Sequence, residues 1–199
     1  AGLWSGDNMT APTPTQVALS VASMIDLTDK DLDKLKYIRL EFKGTSLTAY
    51  ATDRYVLAKA VYELAEPQIE RTAYLDKLAV KFIRDNAKLT TGFHINADVI
   101  QTDTGSLWLL ADLSDKTPID LDSIITKALA TPTTNDTLSM NLKLIERVNK
   151  LIPPSQAKAT PAKRRVDWTM RVGGHLDPIV FTDDSNTFTA LAQPLRRRA

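Results

Sequence analysis

Cysteine is missing from all 199 residues, which excludes disulfides, thiolate zinc sites and cysteine nucleophiles. Histidine is nearly missing as well. His94 and His175 are the two present, and neither has a second imidazole at ligand spacing, so each reads as structural rather than metal-binding or catalytic. Glycine is scarce at seven residues, none in GxxxxGK or GxGxxG spacing, which removes the phosphate-cradling loops of nucleotide-binding proteins. No cofactor is expected. No apolar run approaches the roughly 20 residues that span a bilayer, and no basic region followed by a hydrophobic stretch opens the chain. The sequence reads as soluble and cytoplasmic, without a membrane partner. A dominant charge is also lacking: 25 basic residues face 24 acidic ones for a net +1, so any affinity for nucleic acid must come from where the charges sit.

What is present is 43% apolar and 25% charged residues, the balance of a globular chain of one domain or two small ones. Residues 1–14 show no periodicity and read as a flexible N-terminal segment. From Thr15 to about Lys34, Val17, Val21, Met24 and Ile25 recur at helical spacing. Alternating runs follow: YIRLEF, a Lys43-Gly44-Thr45-Ser46 turn, LTAYATD, and YVLAKAVY from Tyr55 to Tyr62. The order then returns with a helix over Leu75–Lys88 and strands in GFHINADVIQTD and SLWLLADL. It returns again with a helix over Leu142–Ile152, a Pro- and Lys-rich loop, and strands in VDWTMRV, DPIVFTD and TFTALAQPL. This predicts an α+β fold of repeated modules, each one helix plus an antiparallel meander, with helices on one face of the sheets. Two modules over 15–127, a linker over 128–136 and a third module over 137–199 are the expected divisions.

The charges are patterned on two of these helices. Lys77, Lys81, Arg84 and Lys88 are spaced 4, 3 and 4 apart and share one stripe, with Leu78, Phe82 and Ile83 expected toward a core. Lys143, Arg147 and Lys150 repeat the spacing on the later helix. Solvated surface charge explains one such stripe; two corresponding stripes point to a shared anionic surface, of which a phosphate backbone is the obvious kind. The first helix dissents, ending in Asp26, Asp29, Asp31 and Asp33. Further cations lie at Lys158, Lys163, Arg164 and Arg165, and at Arg196, Arg197 and Arg198, where they serve either nonspecific attraction or solubility.

Aspartates at 112, 115, 120, 122, 183 and 184 sit beside Ser, Asn, Thr and Pro and read as turn formers rather than as a Mg2+ nuclease site. No nucleophile or general base accompanies them, so no catalytic residue is assigned. Trp108 and Trp168 fall in strand patterns and are expected in packing.

Three segments carry a family resemblance. LTAYATDRYVLA resembles L-x-x-x-A-T-D-G-H-R-L-A of the bacterial DNA polymerase III beta subunits, the sliding clamps, through Leu47, Ala51, Thr52, Asp53, Leu57 and Ala58. TALAQPLRR is similar to their ending V-V-M-P-M-R-L, with Pro194 and Arg196 in register, and ADLSDKTPIDLDSII resembles L-x-D-G-x-F-P-D-Y through Pro118. The resemblance implies a reduced clamp of the kind a phage or mobile element encodes, with residues 15–127 similar to the middle clamp domain and 137–199 to the closing half of the last. It implies helices facing duplex DNA through Lys77, Lys81, Arg84, Lys88, Lys143, Arg147 and Lys150, without sequence specificity. It also implies a pocket for short peptides of polymerases and clamp loaders, formed by Leu35, Thr52, Arg54, Tyr55, Val56, Leu57, Pro118, Asp122, Ser123, Leu191, Gln193 and Leu195. Three positions depart from the family: Gly-His-Arg is Arg54-Tyr55-Val56, a basic lip residue is Asp122, and a methionine is Gln193.

Three modules are fewer than a ring requires, so a homo-oligomer joined through an orphan sheet edge is expected, its number open. The competing expectation is a clamp-fold adaptor that binds replication or transcription proteins without encircling DNA.

Overall fold

The computed structural model describes residues 11–89, 92–110, 119–134, 140–174 and 176–194. Helix α1 (Pro14–Ser23) begins at a capping box: Thr13 Oγ1 accepts from the Gln16 N–H at 3.3 Å, and the Gln16 side chain accepts from the Thr13 N–H at 2.8 Å. It is shorter than the expected Thr15–Lys34. A single 3-10 turn, Met24–Leu27, follows, and Asp29 then turns the chain by accepting from the N–H groups of Asp31 (2.8 Å) and Leu32 (3.1 Å). Side-chain competition for backbone N–H groups ends the helix where the acidic run begins.

Strands β1 (Ile38–Thr52) and β2 (Val56–Leu75) form one long antiparallel hairpin in place of three short strands. The expected turn at Lys43–Ser46 is instead a pair of register shifts, with Gly44 at φ +57° in the left-handed region that glycine enters at little cost. Inward positions change parity across it, from Ile38, Leu40 and Phe42 to Leu47, Ala49 and Ala51. Helix α2 (Lys77–Asn86) is capped by Asp76, which accepts from the Ala79 N–H at 2.7 Å. Leu75 therefore belongs to β2, and Lys88 lies past the helix end. Ala79, Val80 and Ile83 face the core, whereas Leu78, expected there, is 73% exposed.

Strands β3 (Phe93–Ile95), β4 (Val99–Thr102) and β5 (Gly105–Trp108) make a three-stranded sheet, joined to β2 by a bridge between Tyr74 and Leu110. Trp108 is 74% exposed, against the expectation of packing. Helix α3 (Leu121–Ala130) is capped by Asp120 and carries the chain through Ala128, where a linker was expected. Helix α4 (Leu142–Val148) ends sooner than Ile152. Strands β6 (Trp168–Arg171), β7 (Ile179–Asp183) and β8 (Phe188–Ala192) close the chain.

The strand order β1-β2-β8-β7-β6 has the last part of the chain completing a sheet that the first hairpin begins. Strict alternation gives that sheet two faces. On one, Ala49, Ala51, Val56, Ala58, Ile179, Phe181, Ala190 and Ala192 join Val17 and Val21 of α1, Val80 and Ile83 of α2, and Val148 of α4 in the main core. On the other, Tyr50, Leu57, Val180 and Leu191 pack under Leu121, Ile125 and Ala128 of α3. The three helices foreseen in the sequence share one face; the unforeseen one lies opposite. A buried hydrogen bond between Ser20 Oγ and Tyr62 Oη, 2.9 Å, fixes α1 against β2.

Candidate functional site

The β2–β8 pairing sets Leu57 opposite Leu191 and Val56 opposite Ala192, which brings together residues far apart in sequence. A cavity of about 190 Å³ opens there. Its lining includes Leu35, Thr52, Arg54, Tyr55, Val56, Leu57, Leu191 and Gln193, all singled out from the sequence, together with Ile119, Leu121, Ile124 and Pro178. Pro118 and Leu195 lie outside the described residues. Of these, Pro178 immediately precedes β7, and the other three come from α3 and its approach, which had a readable signal. Asp120 as a cap before Leu121, Ile124, Ile125 and Ala128 is helical spacing. The floor is apolar and buried, while Ile124 stands 43% exposed at the lip.

Asp122 and Ser123 do not line the cavity. The Tyr50 hydroxyl donates to Asp122 Oδ2 at 2.7 Å, and Lys59 Nζ reaches Oδ1 at 2.6 Å, so the carboxylate fastens α3 to the sheet and thereby sets the lip. Burial raises the Asp122 pKa, but these two bonds outweigh it and hold the group below the usual carboxylate value. Burial, then the bond to Asp122, pushes the Tyr50 phenol up. Arg39 adds a second fastening: Nη1 donates to the Ile119 carbonyl at 2.9 Å, and the guanidinium lies 4.7 Å over the Tyr50 ring.

Between β1 and β2 the chain turns at Asp53, whose Oδ1 accepts from the N–H groups of Tyr55 (3.0 Å) and Val56 (2.8 Å). Arg54, at the position of the family's glycine, has φ +82°. An L-residue there carries a steric cost of about 1–2 kcal/mol. Arg54 Nη2 reaches Asp29 Oδ2 at 3.0 Å, and the Gln193 N–H donates to the Tyr55 carbonyl at 2.9 Å, so the turn is tied on both sides. Asp29 is held below the usual carboxylate range by the Asp31 and Leu32 N–H groups and then by Arg54, against the effect of burial.

Arg54 and Tyr55 also line a second, larger opening of about 730 Å³ on the helical side, with Asp26, Asp29, Asp53, Lys77, Lys81, Arg84, Asp85, Arg147 and Lys150. It gathers most of the two cationic stripes. Lys88 and Lys143 are exposed but outside its lining. The cations are not equivalent. Arg147 pairs with Asp53 and donates to the Asp26 carbonyl from Nε (3.2 Å) and Nη2 (2.8 Å), which pins α4 beneath the turn. Lys81 pairs with Asp85, and Lys150 lies 4.0 Å from Asp26. Lys77, Arg84, Lys88 and Lys143 make no ion pair among the described residues.

Of the remaining acidic candidates, Asp184 is exposed, and Asp183 and Asp120 serve structure. Asp183 Oδ1 accepts from the Phe188 N–H at 2.7 Å inside the β7–β8 hairpin, and Asp120 caps α3. No cluster of three or more metal-ligating side chains occurs among the described residues, and His175, Asp112 and Asp115 lie outside them.

No protein-family model and no curated protein matches the sequence. Solved structures do match. A protein of Eubacterium rectale described as a DNA polymerase III beta subunit superposes with a TM-score of 0.60 at 10% identity, over 100% of this chain and 68% of that one. The DNA polymerase III beta subunit of Thermotoga maritima gives 0.58 at 13%, over 94% and 65%. The DNA polymerase III beta sliding clamp of Bartonella birtlesii gives 0.58 at 10%, over 94% and 64%. With its helices layered on antiparallel sheets, this chain has the fold of the DNA polymerase III beta subunits, over about two thirds of their length.

Proposed function

We propose that the chain is a non-enzymatic, sliding-clamp-like processivity factor. It holds duplex DNA without sequence preference against the outer faces of α2 and α4, and it tethers a polymerase or clamp loader through a short peptide seated in the cavity between β2, β8 and α3. The observation that carries this is the convergence of Thr52, Arg54, Tyr55, Val56, Leu57, Leu191 and Gln193 on one apolar cavity, within a clamp fold. An aliphatic or aromatic anchor suits its floor, and the backbone groups of the turn suit an extended segment. The site of action is the cytoplasm, with DNA.

Copies of the chain assemble through β6, one of the two edge strands of the five-stranded sheet, whose outer side pairs with no other strand among the described residues. Such an oligomer supplies the modules that one chain lacks for a ring.

A second reading, a clamp-fold adaptor that binds proteins and does not encircle DNA, is favoured by the internal neutralisation of Lys81, Arg147 and Arg54 by Asp85, Asp53 and Asp29. The two separate on one experiment. Charge reversal at Lys77 and Arg84, which have no ion pair to lose, abolishes DNA contact and polymerase stimulation if the first reading holds. Unchanged stimulation in that variant would contradict it.

A further inference from the structure

In the opening beside Asp53, Arg54, Lys81 and Arg147 are each paired with a carboxylate, whereas the arginines of the stretch after α4 are not. A second opening, of about 640 Å³, lies where that stretch runs back toward β6; its lining includes Asp26, Arg84, Lys150, Arg164, Arg165 and Asp167. It adjoins the first, since Asp26, Arg84 and Lys150 border both. Apart from Lys150, which lies 4.0 Å from Asp26, the cations here are in a different state from those beside Asp53. Arg165 makes no ion pair or hydrogen bond among the described residues. Arg164 is positioned by its Nε donating to the Ala159 carbonyl at 3.0 Å, a contact that neutralises nothing. Among the described residues, Arg84 hydrogen-bonds the Ala22 carbonyl, at 3.4 Å, and no carboxylate. Lys158 and Lys163, both exposed, belong to the same stretch of chain.

We infer that Arg84, Arg164 and Arg165, around this cleft, are the principal phosphate grip of this protein, taking the backbone of duplex DNA. The paired cations of the adjoining opening, Lys81 and Arg147, contribute little. The inference rests on the proposal that the helical side faces DNA. Its physical basis is that a cation already paired in the free protein must break that pair to meet a phosphate, and so gains little, whereas an unpaired one gains the full counterion-release term. Arginine also suits the task, because its planar fork meets phosphate oxygens two at a time.

The test is duplex DNA binding measured against salt concentration for the full chain and three variants. Arg165→Glu, and separately Arg164→Ala with Arg165→Ala, are expected to weaken binding about tenfold or more at low salt and to flatten the log–log salt slope by about 1–2. Lys81→Glu is expected to change either quantity by less than about threefold. Circular dichroism and thermal melting verify that each variant folds, and Arg165→Ala alone serves if the double variant does not. Wild-type affinity and slope in the Arg165 variants, with binding lost in Lys81→Glu, would overturn the inference while leaving the DNA-facing proposal standing. Absence of duplex binding by the unmodified chain at low salt would overturn both.

Discussion

The Tyr50 hydroxyl and the Asp122 carboxylate, 72 residues apart in sequence and 2.7 Å apart in space, join the central sheet to the first turn of α3. This bond, with Lys59 on the other carboxylate oxygen, positions the helix that forms one lip of the apolar cavity. Tyr50→Phe is expected to cost about 1 kcal/mol. That is below the 1.5–3 kcal/mol typical of a hydrogen bond to a charged group, because Asp122 is half exposed. A double-mutant cycle with Asp122→Asn in urea measures the coupling, and additive costs would show that the bond contributes nothing.

The same pair gives a pH dependence of known sign. The folded Asp122 has a lowered pKa, so its contribution to stability is fully present above the unfolded value of about 3.9 and is lost as pH falls through the folded value. Urea midpoints below about pH 4 should therefore fall less steeply in Asp122→Asn than in the unmodified chain. An equal decline in both would assign the acid sensitivity to other carboxylates, of which Asp29 is the next in line.

At position 54 the ordinary ranking of alanine over glycine is expected to reverse. With φ at +82°, Arg54→Gly should be more stable than Arg54→Ala by about 1 kcal/mol, since both lose the contact with Asp29 and only glycine relieves the backbone. Chemical denaturation of the two variants reads this difference directly.

The cavity can be closed without touching the core. Ile124→Asp places a charge at an exposed lip, so stability should stay within about 0.5 kcal/mol. Binding of a labelled clamp-binding peptide should drop at least about tenfold, and undiminished binding would remove α3 from the site.

The salt dependence of DNA binding reports how many cations are free. Contact through Lys77, Arg84, Lys88, Lys143, Arg164 and Arg165 predicts a log–log slope of about −5, and a slope of about −8 or beyond would mean that further cations, Lys158 and Lys163 or the paired Lys81, Arg147 and Lys150, join them.

Much of this arrangement was legible in the sequence, for identifiable reasons. The cavity floor was readable only through the resemblance to the sliding clamps, which singles out Thr52, Leu57 and Leu191 in short motifs, and the β2–β8 pairing sets Leu57 opposite Leu191. The helical face of α2 was readable from its period, and Leu78 is exposed because that period sets it well off the side of Ala79, Val80 and Ile83. The role of Asp122 was not, because its partners Tyr50 and Lys59 lie on other elements and only folding brings them within reach. Nor was the pairing of Arg147 with Asp53: a stripe of cations on a helix does not disclose which of them a distant carboxylate will claim. The long β1–β2 hairpin was missed because Lys43-Gly44-Thr45-Ser46 has turn composition. Glycine with positive φ serves a bulge as readily as a turn, and the burial parity on either side is what separates them.

The most direct test of a clamp-like role is retention on DNA of defined topology, with the solution mass measured in parallel. Loaded onto a nicked circular plasmid, with its loader where one is required, the protein should persist as an oligomer and be shed when the plasmid is linearised. Equal loss from circle and linear DNA, by a chain that sediments as a monomer at tens of micromolar, would contradict encirclement and leave the protein-binding adaptor as the account of this fold.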